Sequence, residues 1–213
     1  MPNVLLTGFT GEGDTDRRFL LSIIRRTLEE IVVDSVQQIA VYDPEWLGIG
    51  KGLTIADRGQ EASLYGSMLF IVHADADASD PGRAQRERLD PAIAAIQATG
   101  IVDLPIIPLI PVQETEAWLL ADRDRLREAL NTELTNQQLD LHGDPERYAD
   151  PKAKLQEVVR RANEGRGTHM EIELSALYDT LGESCRFDTL GRLPSYQRFR
   201  DSLVGGLRRI GYL

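Results

Sequence analysis

The sequence predicts an α/β fold in which helices flank a mostly parallel four-stranded sheet, with a helical C-terminal part. Two patterns indicate this. Over residues 1–130, short apolar runs typical of buried strands alternate with the apolar spacing of amphipathic helices. Residues 131–213 show helical spacing without a strong strand pattern. A chain of 213 residues, 42% of them hydrophobic and 27% charged, has the composition of an ordinary globular protein.

The four predicted strands are short. The clearest has the continuous apolar run Met68-Leu69-Phe70-Ile71-Val72, which is typical of a strand buried on both faces. The last contains three prolines, and because proline cannot donate a ladder hydrogen bond, we place it near a sheet edge. The predicted strands cover residues 3–7, 36–42, 67–73 and 104–112.

Helices are predicted between and after these strands. The first shows apolar positions at helical spacing, and either Asp14 or Thr15 is expected to cap it. Strands that alternate with helices form parallel sheets with right-handed crossovers. We therefore divide the chain into an α/β core, residues 1–130, and a helical C-terminal extension packed on it, residues 131–213. The predicted helices cover residues 16–31, 54–65, 82–98, 114–130, 151–162, 171–181 and 196–210.

The charge balance restricts the function. The chain has 34 acidic and 24 basic side chains, a net charge of −10. This argues against a protein that coats nucleic acid by bulk electrostatics. The acid is unevenly placed, since 25 of the 34 acidic residues lie in residues 1–149. An enzyme that meets nucleic acid through bound metal ions remains compatible with this distribution.

The cellular setting follows from three features. Cys185 is the only cysteine, so no intrachain disulfide forms and a reducing compartment is expected. The first residues lack the basic and apolar regions of a signal peptide. No apolar run approaches the ~20 residues of a membrane span. We expect a cytoplasmic protein that does not bind membranes.

Carboxylates follow three of the four predicted strands. In an open parallel sheet, ligands bind outside the carboxyl ends of the strands, so these side chains are expected to meet. Clustered carboxylates repel one another unless a cation neutralises them, and their oxygens suit Mg²⁺ or Mn²⁺. For any one of them, the alternative is a helix cap or a solvated loop residue. The group comprises Glu12, Asp14 and Asp16, then Asp75, Asp77 and Asp80, then Glu114 and Glu116.

Other kinds of site find little support. Gly8, Gly11 and Gly13 are in the wrong order for a dinucleotide-binding loop, and no phosphate-binding P-loop motif occurs. No zinc-binding or serine-hydrolase motif is present either. The acidic group is therefore the strongest candidate site.

The motif Glu12-Gly13-x-x-Asp16, followed by Asp75-x-Asp77 after a later strand, resembles the Toprim domain. Topoisomerases, primases, OLD nucleases and RecR-like proteins share that domain. The fuller run over residues 12–20 resembles the opening of a bacterial Toprim-like family related to the phage-defence protein RloB. Two further segments, residues 114–122 and 194–199, are similar to that family. The resemblance implies a Toprim-like variant of the Rossmann-like fold.

The resemblance also implies roles for the acidic residues. Glu12 would be a metal ligand or a general acid/base. Asp75 and Asp77 would be metal ligands, and Asp80 would join or replace one of them. Further ligands would come from the element that contains Glu116 and, less clearly, Glu114. The cofactor would be Mg²⁺ or Mn²⁺.

These roles suggest a metal-dependent nuclease of phage defence or nucleic-acid repair, acting on DNA or RNA. Two cations about 3.5–4 Å apart would activate water and stabilise the leaving oxygen. A separately encoded ATPase is the expected partner, and a homodimer is also considered. A catalytically silent Toprim-like module that regulates a partner, or phosphoryl transfer on a small substrate, are the alternatives.

Basic side chains complete the predicted site. A cation beside the metal ions would stabilise the negative charge of the transition state, and Lys152 and Lys154 begin a predicted helix. The alternative for each is the solvated face of a helix. The candidates for contacts with nucleic-acid phosphates are Arg17, Arg18, Arg198 and Arg200.

Overall fold

The structure is a computed structural model of the chain. It describes residues 3–11, 13–48, 53–98, 100, 104–167 and 171–213, and of Asp14 it describes only the backbone. Among the helices within these ranges, none has both the length and the apolar composition needed to cross a membrane. The fold is α/β, as the sequence predicts.

Parallel strands form the centre of the fold, in one sheet of two strands and one of four. The strands are Asn3–Leu5 (β1), Thr7–Thr10 (β2), Ile39–Val41 (β3), Glu45–Trp46 (β4), Leu69–His73 (β5) and Ile106–Leu109 (β6). β1 pairs with β3, and the others lie in the order β4, β2, β5, β6, with every pair parallel. Only Leu6 separates β1 from β2, and its carbonyl accepts from the Met68 N–H at 2.7 Å. Each predicted strand contains an observed one, and β6 is at the edge as predicted. The first predicted strand, however, continues beyond Leu6 as β2, and β4 was not predicted.

Helices cover the sheet and form the C-terminal part. The predicted helices are confirmed, although two of them are interrupted. The helices are Asp14–Val32 (α1), Ile55–Leu64 (α2), Pro81–Ala84 (α3), Asp90–Ala98 (α4), Glu116–Leu119 (α5), Arg123–Ala129 (α6), Pro151–Asn163 (α7), Leu174–Ser184 (α8), Phe187–Leu190 (α9) and Pro194–Arg209 (α10).

Each interruption has a local cause. A π-helical turn, Gln85–Leu89, joins α3 to α4. Pro91 follows it and cannot donate a hydrogen bond to the preceding turn, which favours the wider turn there. The predicted helix 114–130 is divided into α5 and α6 because Asp122 acts as the N-cap of α6 and accepts from the Arg125 N–H at 3.3 Å.

The predicted N-cap of α1 and the predicted start of the second strand are wrong. Neither Asp14 nor Thr15 caps α1, because the helix already begins at Asp14 and Gly13 occupies the N-cap without a side-chain hydrogen bond. The second strand begins at Ile39 rather than at Val36, which is fully exposed. The intervening residues form a loop in which the Ser35 hydroxyl donates to the Tyr212 carbonyl at 2.7 Å.

The core lies on both faces of the sheet. Successive side chains of a strand point to opposite faces. Leu69 and Ile71 accordingly join the cluster with α1 and the C-terminal helices, while Phe70 and Val72 join the cluster with α2 and α4. Complete burial of such a side chain contributes about 1.5–3 kcal/mol. This burial on both faces explains the continuous apolar run of β5.

The C-terminal helices pack against the α/β part. Trp118 of α5 donates to the Ser195 hydroxyl at 2.7 Å, and its ring meets the Tyr196 ring edge-on, with 5.4 Å between centroids. α10 approaches β6 so closely that a Cβ at Gly206 would lie 2.7 Å from Ile107 Cδ1. The predicted division at residue 130 stays a prediction, but one hydrophobic cluster joins both parts.

Candidate functional site

The candidate site lies where the central strands end. β2, β5 and β6 run side by side in parallel, so their carboxyl ends share one edge of the sheet. The chain leaves β5 through His73 and reaches Asp75, and it leaves β6 through a loop that leads to Thr115 and Glu116 at the start of α5. After β2, a short loop leads into α1, whose first turn contains Asp16. The topology thus brings together three segments that are far apart in sequence.

Thr115 connects two of these segments. Its side chain is fully buried. Its backbone N–H donates to Asp75 Oδ1 at 3.0 Å, and its hydroxyl donates to the same oxygen at 3.3 Å. The same hydroxyl lies 3.1 Å from His73 Nε2. Thr115 therefore fixes the orientation of the Asp75 carboxylate.

His73 also contacts the Asp75 carboxylate. Its imidazole is buried, and Nε2 lies 3.3 Å from Asp75 Oδ1. Gly11 makes this position accessible to the ring, because a Cβ at Gly11 would lie only 3.0 Å from His73 Nδ1. The structure thus places His73 against the Asp75 carboxylate.

Asp16 faces the other acidic residues. Burial raises the pKa of its carboxyl group, and the nearby Asp75 and Glu116 carboxylates raise it further, while His73 and a hydrogen bond with Thr115 act in the opposite direction. A Cβ at Gly13 would lie 2.7 Å from Asp16 Oδ2, so glycine allows this carboxylate to fold back on its own helix start. Asp16 therefore belongs to the candidate site, in agreement with its place in the predicted acidic group and in the motif Glu12-Gly13-x-x-Asp16.

Glu116 is the most buried acid of the group, with 3% of its surface exposed. Its Oε1 accepts from the Tyr178 hydroxyl at 2.7 Å and lies 3.8 Å from the Lys152 ammonium. Burial raises the pKa of the Tyr178 phenol, and its hydrogen bond to Glu116 raises it further, so the phenol remains a hydrogen-bond donor. Nothing in the sequence pointed to Tyr178, which lies 62 residues beyond Glu116.

Glu114 lies just before α5 and contacts the start of α7. Its Oε2 accepts from the Lys152 backbone N–H at 3.2 Å. Burial raises the pKa of Glu114, the Glu116 carboxylate raises it further, and the hydrogen bond from Lys152 opposes both effects. Asp150 and Asp75 add smaller repulsive contributions. The described site is therefore a group of four mutually repelling carboxylates, those of Asp16, Asp75, Glu114 and Glu116, with one ammonium beside them.

A family model described as "Domain of unknown function (DUF4276)" matches residues 11–175. The chain belongs to this family. Neither the search of curated proteins nor the search of solved structures gave a match. The four carboxylates and Lys152 lie within the matched residues, whereas Tyr178 lies beyond them.

Asp77 and Asp80 have other surroundings in this DUF4276 protein. The Asp77 backbone is left-handed, with φ of 49°, and its exposed carboxylate pairs with Arg88 at 2.9 Å. This turn ends the extended chain that would place Asp75 and Asp77 on one face. Asp80 caps α3 by accepting from the Gly82 N–H at 2.9 Å. The structure does not bring either carboxylate into contact with the group of four.

The predicted catalytic residues are placed differently. Lys152 lies at the site, but the Lys154 ammonium is 2.5 Å from Asp140 Oδ2 and 5.5 Å from the Tyr148 ring centroid. This places Lys154 outside the site. The predicted Glu12 lies outside the residues that the structure describes.

The four arginines predicted to contact phosphates differ in their surroundings. Arg18 forms two hydrogen bonds with Asp179 of α8, and Arg200 lies 3.5 Å from Glu30, so each has an acidic partner. Arg17 is exposed near the start of α1. Arg198 is exposed and lines a cleft of about 520 Å³ between α3 and α10. Arg17 and Arg198 are thus exposed cations that line different clefts.

Proposed function

We propose that this protein hydrolyses phosphodiester bonds in nucleic acid and uses Mg²⁺ or Mn²⁺ as its cofactor. The supporting observation is the group of four carboxylates at the carboxyl edge of the parallel sheet. Burial and mutual repulsion raise the pKa values of Asp16 and Glu114 within it. A fold stabilises such a group only at a cost, and perturbed carboxylates of this kind concentrate at functional sites.

The residues present fit a hard divalent cation in their donor chemistry. Carboxylate oxygens are the donors that Mg²⁺ and Mn²⁺ prefer, and a cation would remove the repulsion among the four acids. Within the described residues, no three His, Cys, Asp or Glu side chains are already arranged around a metal position. The side chains that would hold the ion are Asp16, Asp75 and Glu116, with Glu114 beside them. The resemblance to Toprim domains adds Glu12.

Bound divalent cations supply Lewis acidity and lower the pKa of water to produce a nucleophile. The chain's own residues supply orientation and charge. Thr115 and His73 hold the Asp75 carboxylate in one orientation, and Tyr178 holds Glu116. The Lys152 ammonium, half exposed beside Glu116, is placed to stabilise negative charge on the phosphate oxygens.

Substrate binding is expected to depend on the cation. With a net charge of −10, the protein repels polyanions at long range. The metal ions would reverse the local field at the site, and exposed Arg17 would add a phosphate contact nearby. Binding should therefore weaken steeply as salt is increased and should be lost when divalent ions are chelated.

Cleavage assays test the proposal directly. Purified protein is incubated with plasmid, single-stranded DNA and RNA in the presence of Mg²⁺ or Mn²⁺, and Asp75→Asn, Glu116→Gln and Glu12→Gln are compared with wild type. We expect each substitution to lower the cleavage rate by about 100-fold or more. Glu157→Gln, which removes a partly exposed acid of α7 that pairs with Arg160 and Arg161, is the control and should cleave at the wild-type rate.

Two outcomes would change the proposal. Wild-type rates in Asp75→Asn and Glu116→Gln would exclude this site. Divalent-ion binding without cleavage of any of the three substrates would support the alternative, a catalytically silent module that regulates a partner such as a separately encoded ATPase.

A further inference from the structure

Tyr178 connects the C-terminal helices to the candidate site. It lies on α8, and only 1% of its surface is exposed. Its hydroxyl donates to Oε1 of Glu116, whose own surface is 3% exposed. A hydrogen bond from a hydroxyl to a charged carboxylate is stronger than one between two neutral groups. Removing either partner would leave the other buried without a hydrogen bond, which costs free energy.

α8 itself is fixed firmly against α1, the helix that contains Asp16. Arg26 of α1 donates to the carbonyls of Gly182 and Cys185, each at 2.7 Å. A Cβ at Gly182 would lie 2.9 Å from the Phe19 carbonyl oxygen, so only glycine permits the observed approach. The Ser22 hydroxyl donates to Glu183 at 2.6 Å. Tyr178 is therefore held by a rigid helix pair, not by a mobile segment.

The contacts of the Glu116 carboxylate involve one of its two oxygens. Within the described residues, its hydrogen bond from Tyr178 and its ion pair with Lys152 both involve Oε1. Contacts to Oε1 restrain the position of the carboxylate and leave the other oxygen, Oε2, available for a further ligand. Hydrogen-bonded partners of this kind orient the ligands of metal sites.

We propose that Tyr178 is a positioning residue of the candidate metal site, and that its hydroxyl holds Glu116 Oε1 so that Oε2 faces a divalent cation. This inference rests on the proposed function. It also assigns a role to the C-terminal helical part, because α8 orders two of the site carboxylates: Glu116 through Tyr178 and Asp16 through α1.

Manganese titration followed by electron paramagnetic resonance tests this role on the full chain without substrate. We expect Tyr178→Phe to weaken Mn²⁺ binding by about 10-fold. Tyr196→Phe is the matched control, because Tyr196 is equally buried and its hydroxyl lies 3.0 Å from the Thr27 hydroxyl, away from the site. Its Mn²⁺ affinity should equal that of wild type. Binding by Tyr178→Phe within threefold of wild type, or tighter, would overturn the inference.

A double-mutant cycle shows whether Tyr178 acts through Glu116. In a Glu116→Ala background, Tyr178→Phe should cause no further loss of Mn²⁺ affinity. A loss of the same size in both backgrounds would overturn the proposed route. If wild type itself binds no Mn²⁺, the proposed function fails. If wild type binds Mn²⁺ and Tyr178→Phe is unaffected, only the positioning role fails.

A measurement without substitution at Tyr178 covers the case in which Tyr178→Phe does not fold. Saturating Mg²⁺ should change the near-ultraviolet absorption of wild type in the tyrosine band, since the acceptor of the buried Tyr178 hydroxyl would become a metal ligand. The same band should stay unchanged in Glu116→Ala. Absence of the change in wild-type protein that binds Mg²⁺ would overturn the inference.

Discussion

Two regions of the molecule bury carboxylates in opposite ways. At the sheet edge, four acids face one another, and the pKa values of Asp16 and Glu114 are raised. Near the start of α6, Asp122 is completely buried, yet its pKa is lowered. Burial by itself would raise the pKa of Asp122, but hydrogen bonds from Arg186 and from the Arg125 backbone N–H outweigh it.

The contacts of Asp122 explain why its pKa is lowered although it is buried. Arg186 donates to it through Nε at 2.9 Å, through Nη2 at 2.7 Å and through its backbone N–H at 2.9 Å. Such a carboxylate is satisfied within the protein, whereas among the edge acids of the described residues Glu116 forms a longer ion pair, with Lys152 at 3.8 Å. The comparison separates a carboxylate that stabilises the fold from repelling carboxylates, which we propose as a cation site.

The largest expected effect concerns Asp122. Asp122→Asn should lower the free energy of unfolding by about 2–3 kcal/mol, less than for a fully buried ion pair because the Arg186 side chain is 44% exposed. Asp124→Asn is the control, since it removes an exposed partner of the same arginine and should cost at most about 0.5 kcal/mol. Urea unfolding measures both. Equal effects of the two substitutions would remove the distinction between the regions.

Divalent cations should stabilise the protein through the edge cluster alone. At ten times its dissociation constant, Mg²⁺ should raise the free energy of unfolding by about 1.4 kcal/mol. The gain should persist in Asp122→Asn and shrink in Glu116→Gln. Thermal unfolding with and without Mg²⁺ provides the comparison. A gain of the same size in both variants would locate the ion elsewhere.

Removing an edge carboxylate should change the free energy of unfolding in the opposite direction to removing Asp122. Without divalent ions, Asp75→Asn should raise the free energy of unfolding by about 0.5 kcal/mol, because it relieves repulsion with Asp16 and Glu114 while the amide oxygen still accepts from Thr115. Asp179→Asn, which breaks an exposed ion pair with Arg18, should give no gain. A loss of stability in Asp75→Asn would mean that this carboxylate is satisfied within the protein.

The smallest effect is the pH dependence of stability. Because the pKa of Asp122 is lower in the folded state, its contribution is complete above its usual pKa of 3.8 and is lost as the pH falls through the folded value. Asp16 and Glu114 have raised pKa values, so their protonated forms favour the folded state and this advantage disappears as the pH rises past 3.8 and 4.5. Unfolding measured from pH 3 to pH 7 without divalent ions should show a shallower acid loss in Asp122→Asn than in wild type. An unchanged acid limb would contradict the role of Asp122.

Most of the fold was predictable from local patterns. The apolar run of β5 predicted a strand buried on both faces, and the three prolines of the predicted strand 104–112 placed β6 at the edge. Both properties depend on a few consecutive residues. The predicted start of β3 and the predicted N-cap of α1 were wrong, because both depend on loops whose conformation is determined by tertiary contacts. The sequence also predicted that acids after three strands would meet, and Asp75, Glu114 and Glu116 do lie together.

The membership of the site was less predictable. Asp77 shares the Asp-x-Asp spacing with Asp75, but a left-handed turn directs it to Arg88. Lys152 and Lys154 are two residues apart on α7, yet the first meets Glu116 and the second meets Asp140. Positions two apart on a helix face different directions, so the neighbours decide which of them reaches the site.

The sequence by itself determined the strands, the helices, the parallel sheet and the edge at which the acids would collect. These features follow from hydrophobic periodicity and from the geometry of parallel strands. Only the tertiary structure decided that Thr115 and His73 orient Asp75, that Tyr178 reaches Glu116 from α8, and that Asp122 is matched by Arg186. Those contacts join residues about 40 to 64 positions apart, and their distances depend on how helices pack, which no local pattern encodes.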